Sequence, residues 1–269
     1  MANALKEKWA AGQATINGWC SIPSSFSAEV MAAQGFDSVS IDVQHGALDY
    51  SSALPMLQAI RASGTFPMAR VPWREPGIIM KMLDAGAMGI ICPMINTRAE
   101  AEEFASYMRY PPQGQRSFGP TRAAFAMPGY NVKDANADVL AFAMIETADG
   151  VANLDDIAST PGIDGLYVGP ADLTLGVTQG RLGPGFDRTE DELVDVIQRI
   201  AAAAKANGIA AALHCGTVEY GAKAIGWGYD MVTVGGDVRL LAAAAADSVS
   251  RFRDQTGGKA SDGQKAFYG

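Results

Sequence analysis

A (β/α)8 barrel is the fold class that this chain predicts, and three observations predict it. Short apolar runs of strand length alternate with longer segments of helical spacing. Eight such strand candidates follow one another along the chain. The length, 269 residues, suits one closed barrel of this kind. A doubly wound open sheet would use the same elements, but no glycine-rich dinucleotide fingerprint follows the first strand.

The elements come in order. The opening stretch "MANALKEKWAAGQ" reads as an amphipathic helix. Strands are then expected at 15–20 (TINGWC), 38–42 (SVSID), 67–71 (PMARV), 88–92 (MGIIC), 139–145 (VLAFAMI), 164–169 (DGLYVG), 209–215 (IAAALHC) and 230–235 (DMVTVG). Helical spacing follows at 51–63, at 96–109 and at 189–208, the last opening on Thr189 ahead of acidic residues and closing on Gly208. An eighth helix is expected at 238–253. Two stretches break the alternation. Residues 110–138 form a long Pro- and Gly-rich connection, expected to be functional or mobile. Residues 254–269 are polar and Gly-rich, which predicts a flexible tail after a single barrel domain spanning 1–253.

Composition narrows the function. A hydrophobic fraction of 48% predicts a globular protein with a substantial core. The net charge of -8 disfavours nucleic acid and anionic membranes as partners. Three cysteines far apart, Cys20, Cys92 and Cys215, do not form a disulfide framework and read as packing residues of a reducing compartment. The opening segment lacks the continuous apolar region of a secretory signal, and no apolar run approaches the ~20 residues that cross a bilayer. The expected location is the cytoplasm.

In a barrel of this type the active site lies at the C-terminal ends of the strands. Inspecting each strand end brings scattered polar groups to one rim: Asp42 and His45 after the second strand, Arg70 after the third, Glu146 after the fifth, Asp172 in "VGPAD" after the sixth, and His214 in the seventh. Two carboxylates on adjacent strand ends, Glu146 and Asp172, repel each other unless a cation lies between them. Hard oxygen donors suit a divalent ion such as Mg2+ or Mn2+. The alternative is that each carboxylate caps the helix that follows it. Arg70 offers a bidentate fork to a carboxylate or an enolate oxygen, or else serves as structural partner to a rim acid. Asp42 and His45, three positions apart across a bend, are expected to pair, with the carboxylate fixing the imidazole tautomer for acid–base work. His214, in an apolar run, reads more readily as a satisfied core residue than as a substrate contact. The "VGPADL" and "VGGD" turns can present main-chain N–H groups to an anion. Arg116 and Arg122 are either solvated surface or reach a substrate's far end or a neighbouring subunit. Every lysine falls in a predicted helix, loop or tail, which argues against Schiff-base chemistry on an inward strand position.

The ordered motifs "SSFSAEVMAAQGFDSVSIDVQHG", "ARVPW", "MLDAGAMGIICPMINT", "IETADGVANLDDIASTPGIDGLYVGPADL" and "GYDMVTVGGDVRLL" resemble those of the HpcH/HpaI family, metal-dependent (class II) pyruvate aldolases acting on 4-hydroxy-2-oxoacids. The resemblance covers the chain to about residue 253. It implies a (β/α)8 barrel whose eighth helix is exchanged between subunits of a hexamer, a trimer of dimers. It implies that Glu146 and Asp172 hold a divalent metal (Mg2+, Mn2+ or Co2+) with no organic cofactor. Arg70 would stabilise the pyruvate enolate, and His45 with Asp42 would act through water as acid–base. Trp19 would line the pocket, the backbone of Gly169, Ala171 and Asp172 would take the substrate carboxylate, and Arg122 would lie near the aldehyde. Gln44 and Met144 depart from the family's usual Glu and Gln at their positions, which bears on substrate range and metal affinity. The expected reaction is reversible cleavage of a 4-hydroxy-2-oxoacid into pyruvate or hydroxypyruvate and an aldehyde. Alternatives on the same scaffold are an acyl-CoA hydroxyacid lyase, an oxaloacetate decarboxylase, and a non-catalytic barrel that binds a small acid.

Overall fold

The computed structural model describes residues 3–257. Its strands are β1 Thr15–Cys20, β2 Ser38–Asp42, β3 Phe66–Arg70, β4 Gly89–Cys92, β5 Leu140–Ile145, β6 Gly165–Val168, β7 Ala210–Cys215 and β8 Met231–Gly236. All pair in parallel with their sequence neighbours, and β1 pairs with β8, so the sheet closes into a barrel. No strand end departs from its expected position by more than one residue, because these runs are short, almost entirely buried and bounded by turn residues.

The alternation of side chains along each strand makes two cores. Phe66, Met68, Leu140, Phe142, Met144 and Met231 fill the barrel interior. Val39, Ile41, Ile90, Ile145, Leu166 and Leu213 face the surrounding helices. Burial of each such side chain contributes about 2 kcal/mol. A short helix, α1 (Ala4–Ala10), starts at Asn3, whose side chain accepts from the Leu5 and Lys6 N–H groups. Helix α1 belongs to the N-terminal end of the barrel: Leu5 is buried with the interior residues, and Trp9 meets Phe142 edge-on at 6.1 Å.

The outer helices are α2 Ser25–Ala32, α3 Tyr50–Ala62, α4 Pro76–Asp84, α5 Arg98–Met108, α6 Thr121–Ala126, α7 Val132–Asp138, α8 Ala148–Ala152, α9 Leu154–Ala158, α10 Pro170–Thr178, α11 Asp191–Ala206, α12 Val218–Gly226 and α13 Asp237–Thr256. Reciprocal capping boxes start α3 at Asp49 and α5 at Thr97. Helix α11 begins two residues later than its sequence signal, at Asp191 with Glu190 as N-cap, so Thr189 does not cap it.

Two expectations need correction. The connection 110–138 is not a bare loop: it folds as α6 and α7. It leaves α5 and leads into the start of β5, so it belongs to the N-terminal side of the barrel. Arg116 is buried there, 2.7 Å from Asp84 and stacked on Tyr110. The last helix also runs past residue 253 to Thr256; the rest of the expected tail, 258–269, lies outside the described residues. Along α13 only Asp237 is buried, while Val238, Leu240, Leu241, Val249 and Phe252 stay exposed. No helix among the described residues is long and apolar enough to cross a membrane.

Candidate active site

The C-terminal strand ends enclose a cavity of about 440 Å3. Trp19, Asp42, His45, Arg70, Gly169, Ala171 and Asp172 line it, together with Met144, Phe186, His214 and Arg239. Parallel pairing explains the convergence. Asp42 ends β2 in register with Arg70 at the end of β3, and both alternate inward from Ser40 and Met68.

Arg70 and Asp42 form a bidentate pair: Nε donates to Oδ1 at 2.9 Å and Nη2 to Oδ2 at 2.6 Å. Trp19 closes one side, its indole N–H 3.3 Å from Asp42 Oδ2 and its ring 4.9 Å from the guanidinium carbon. Burial alone would push the Asp42 carboxyl up. The Arg70 guanidinium, with the His45 and Trp19 N–H groups, outweighs that and holds it below the ordinary carboxylate range. Burial likewise works against the charge on Arg70, and Asp42 more than compensates. The expected Asp42–imidazole pair is not formed. Asp42 Oδ1 instead accepts the main-chain N–H groups of Gln44 and His45, each at 3.2 Å. The carboxylate that was expected to serve His45 is committed to Arg70, while the His45 side chain stands exposed at the cavity edge.

Glu146 follows β5. It is buried, and its Oε1 accepts the Met94 N–H at 2.9 Å. Met94 sits in the left-handed region (φ 58°), a conformation that costs a non-glycine residue about 1 kcal/mol and here aims an N–H at the carboxylate. The other oxygen lies against Gly169: a Cβ there would come within 2.5 Å of Glu146 Oε2 and 2.4 Å of Met144 Cε. Burial, and next the charge of Asp172, push the Glu146 carboxyl up to about 7, against the pull of Met94 and Arg70. Asp172 stands in the first turn of α10, three residues beyond Gly169, where the helix dipole favours an anion.

Neither carboxylate is used as a helix cap. Thr147 caps α8 by accepting the Gly150 N–H, and α10 has no side-chain cap. A buried carboxylate whose ionisation a neighbouring carboxylate opposes, with one oxygen anchored and the other against a glycine, fits a divalent cation held by oxygen donors. Among the described residues no cluster of three or more His, Cys, Asp or Glu side chains forms a metal site.

Arg122 is not on the cavity wall. It donates to the Ala85 carbonyl and lies against Gly86, ahead of β4 and thus at the opposite end of the barrel. His214 is the residue that the sequence undervalued. Its ring lies in the cavity wall, stacked on Phe186 at 5.0 Å and edge-on to Trp19 at 4.9 Å. Strand alternation with Ala210 and Ala212 carried that signal, since both of these face the interior. Met94 and Phe186 had no such signal, as both come from irregular segments. The three cysteines are buried and free, with burial raising each thiol. Among the described residues every lysine is on a helix.

Comparison with known proteins is in keeping with this geometry. The chain is similar to a hydroxypyruvate/pyruvate aldolase of Rhizorhabdus wittichii, 39% identical over 93% of this chain and 99% of that one. A 5-keto-4-deoxy-D-glucarate aldolase of Shigella dysenteriae is 32% identical over 93% of this chain and 97% of its own length. Among solved structures, an HpcH/HpaI aldolase/citrate lyase family protein from Burkholderia cenocepacia superposes with a TM-score of 0.85 at 32% identity, covering 94% of this chain and all of that one. The family model for HpcH/HpaI aldolase/citrate lyase matches residues 19–244, from the first rim tryptophan into the last helix, and the chain therefore belongs to the HpcH/HpaI aldolase/citrate lyase family.

Proposed function

We propose that the protein is a divalent-metal-dependent aldolase that reversibly cleaves 4-hydroxy-2-oxoacids into pyruvate or hydroxypyruvate and an aldehyde. The observation that carries this reading is the convergence of the Arg70–Asp42 pair with Glu146 and Asp172 at one barrel rim. Glu146 and Asp172 would hold the cation, of which Mg2+, Mn2+ and Co2+ are the candidates. When bound, it supplies Lewis-acid stabilisation of negative charge on the 2-oxoacid. Arg70, already oriented by Asp42, would donate to the keto oxygen of the 2-oxoacid as charge develops there. The uncapped start of α10, at Gly169, Ala171 and Asp172, offers main-chain N–H groups to the substrate carboxylate. Trp19 walls the pocket. In cleavage, His45 takes the proton of the C4 hydroxyl through a water molecule, the C3–C4 bond breaks, the aldehyde leaves, and a proton returns to C3. Synthesis reverses these steps. Asp42 acts in this scheme by holding Arg70 and the His45 main chain.

The exposed apolar side of α13 is consistent with the exchange of this helix in a hexamer built from dimers. Arg122 then acts on the aldehyde from a neighbouring subunit. The cytoplasm is the proposed location.

The deciding assay combines pyruvate and hydroxypyruvate with a panel of aldehydes and each candidate metal. Exhaustive chelation is expected to abolish turnover and one or more of the metals to restore it. Turnover indifferent to chelators would refute the metal step, and absence of aldol products under every condition would refute the reading. Metal-dependent exchange of pyruvate methyl protons with deuterated water separates the enzyme from a barrel that merely binds a small acid.

A further inference from the structure

The barrel interior, otherwise apolar, carries a continuous chain of buried polar side chains that ends at the cavity. Ser38 and Ser40 on β2 donate to Asn17 Oδ1 at 2.8 and 3.1 Å. This fixes the amide of Asn17, whose Nδ2 donates to Thr233 Oγ1 at 2.9 Å. Tyr167 Oη donates to the same Thr233 oxygen at 2.8 Å and lies 3.1 Å from His214 Nδ1. Asn17, Ser38, Ser40, Thr233 and Tyr167 are all fully buried. Such a network is costly unless every member is satisfied, and apolar replacements would fill this space without that cost. His214 is the member that reaches the cavity.

Proton bookkeeping along the chain sets the state of that histidine. Tyr167 has one phenolic proton, and it goes to Thr233. With that proton committed, the Tyr167 oxygen is left to accept from His214, and we assign the imidazole proton to Nδ1 and a lone pair to Nε2. The half-buried ring lines the cavity, and its hydrogen bond is made through Nδ1, so Nε2 is the nitrogen left for a ligand. Burial and the nearby Arg70 charge lower the imidazole pKa to about 3, so the ring stays neutral at working pH. Phe186 and Trp19 hold it from two sides. Trp19 also packs on Arg70, so one indole separates His214 from the guanidinium assigned to the substrate's keto oxygen.

We infer that His214 is a specificity-determining residue whose Nε2 accepts a hydrogen bond from a substrate hydroxyl, favouring hydroxylated substrates over analogues that lack the group. This rests on the aldolase reading. The hydroxyl belongs either to C3 of the 2-oxoacid, as in hydroxypyruvate, or to the carbon next to the aldehyde, as in glycolaldehyde. Tyr167 is a positioning residue: it touches no substrate and sets the tautomer.

The test compares kcat/KM in two ratios: hydroxypyruvate against pyruvate with one aldehyde, and glycolaldehyde against acetaldehyde with pyruvate. His214→Leu removes the acceptor at similar volume and is expected to lower one ratio about tenfold, the value of one neutral hydrogen bond. Which ratio falls identifies the hydroxyl. His214→Gln, which keeps an acceptor oxygen, should retain part of the preference. If neither ratio changes in His214→Leu, the inference is overturned and the aldolase reading is untouched. With two histidines in the chain, imidazole nitrogen NMR reads the tautomer directly. His214 should show a protonated Nδ1 and a bare Nε2, and Tyr167→Phe should shift it towards the Nε2–H form. A protonated Nε2 in the unmodified protein, or a tautomer indifferent to Tyr167→Phe, overturns the relay. If no donor and aldehyde react with any metal, the aldolase reading has failed, and the tautomer measurement still stands by itself.

Discussion

Arg70 has a defined geometry before any substrate arrives. Two of its nitrogens are committed to Asp42, and its face rests on Trp19, so little rotamer freedom remains to be lost when charge develops beside it. Arg70→Ala is expected to lower kcat by about two to three orders of magnitude while the far-ultraviolet CD spectrum stays unchanged, the size of effect seen on losing one charge-stabilising donor. Near-normal turnover would remove Arg70 from the mechanism. The pair also predicts acid behaviour. The Asp42 carboxyl is held below its ordinary range, so its stabilisation is present above the unfolded value of about 3.9 and is lost as pH falls through the lower folded value. In Asp42→Asn the Arg70 charge lacks its partner, so the variant should melt lower at neutral pH. The difference in melting temperature should shrink once the pH drops below about 4. A difference that stays constant down to the acid limit would contradict the assignment. His45 shows the limit of spacing as a guide. Three residues across a bend permit contact with Asp42, but the contact is made by the backbone, because Arg70 offers the carboxylate a better partner.

The junction between β6 and α10 does most to assemble the rim. Gly169 follows the strand as the N-cap position of α10 with an ordinary extended backbone (φ -98°), so space rather than conformational freedom demands glycine there. A methyl group would press on Met144 and on the Glu146 carboxylate at the same time. Gly169→Ala should leave the barrel folded, since the end of Met144 is flexible. It should weaken metal binding and cut aldol kcat/KM by about a hundredfold, the usual consequence of displacing a working group by about 1 Å. Metal titration by calorimetry, together with kinetics, checks both. An alanine variant with unaltered metal affinity would place the cation elsewhere. Helix α10 starts with no side-chain cap, which leaves its N–H groups free for a ligand. The sequence "VGPAD" foreshadowed that, with glycine where a capping residue would otherwise stand.

Closure of the barrel separates the molecule into two ends with different work. The βα segments carry the cavity; the opposite end carries α1, α6 and α7, with Arg116 and Arg122. In the proposed oligomer, an arginine at that end meets a substrate only across a subunit boundary. Preparing mixed oligomers of Arg70→Ala and Arg122→Ala chains tests this. A rim with intact Arg70 that receives Arg122 from its neighbour is complete, so the mixture should recover activity well above either parent. No recovery would take Arg122 out of the site. The position of residues 110–138 was in fact readable from chain order, since the segment follows a helix and precedes a strand. Its Pro and Gly content obscured the two short helices that it contains.

Local pattern was enough for the barrel, the strand boundaries and most rim residues. Buried runs of strand length and turn chemistry are properties of neighbours in sequence, and parallel closure follows from repeating them eight times. Partnership among the rim groups was not decided locally. Whether Asp42 served His45 or Arg70, whether Glu146 capped a helix or faced Asp172, and whether His214 was core or cavity wall depended on register between strands far apart in the chain. Hydrogen bonds and charge interactions act over a few ångströms, and only the folded barrel brings those groups within that range.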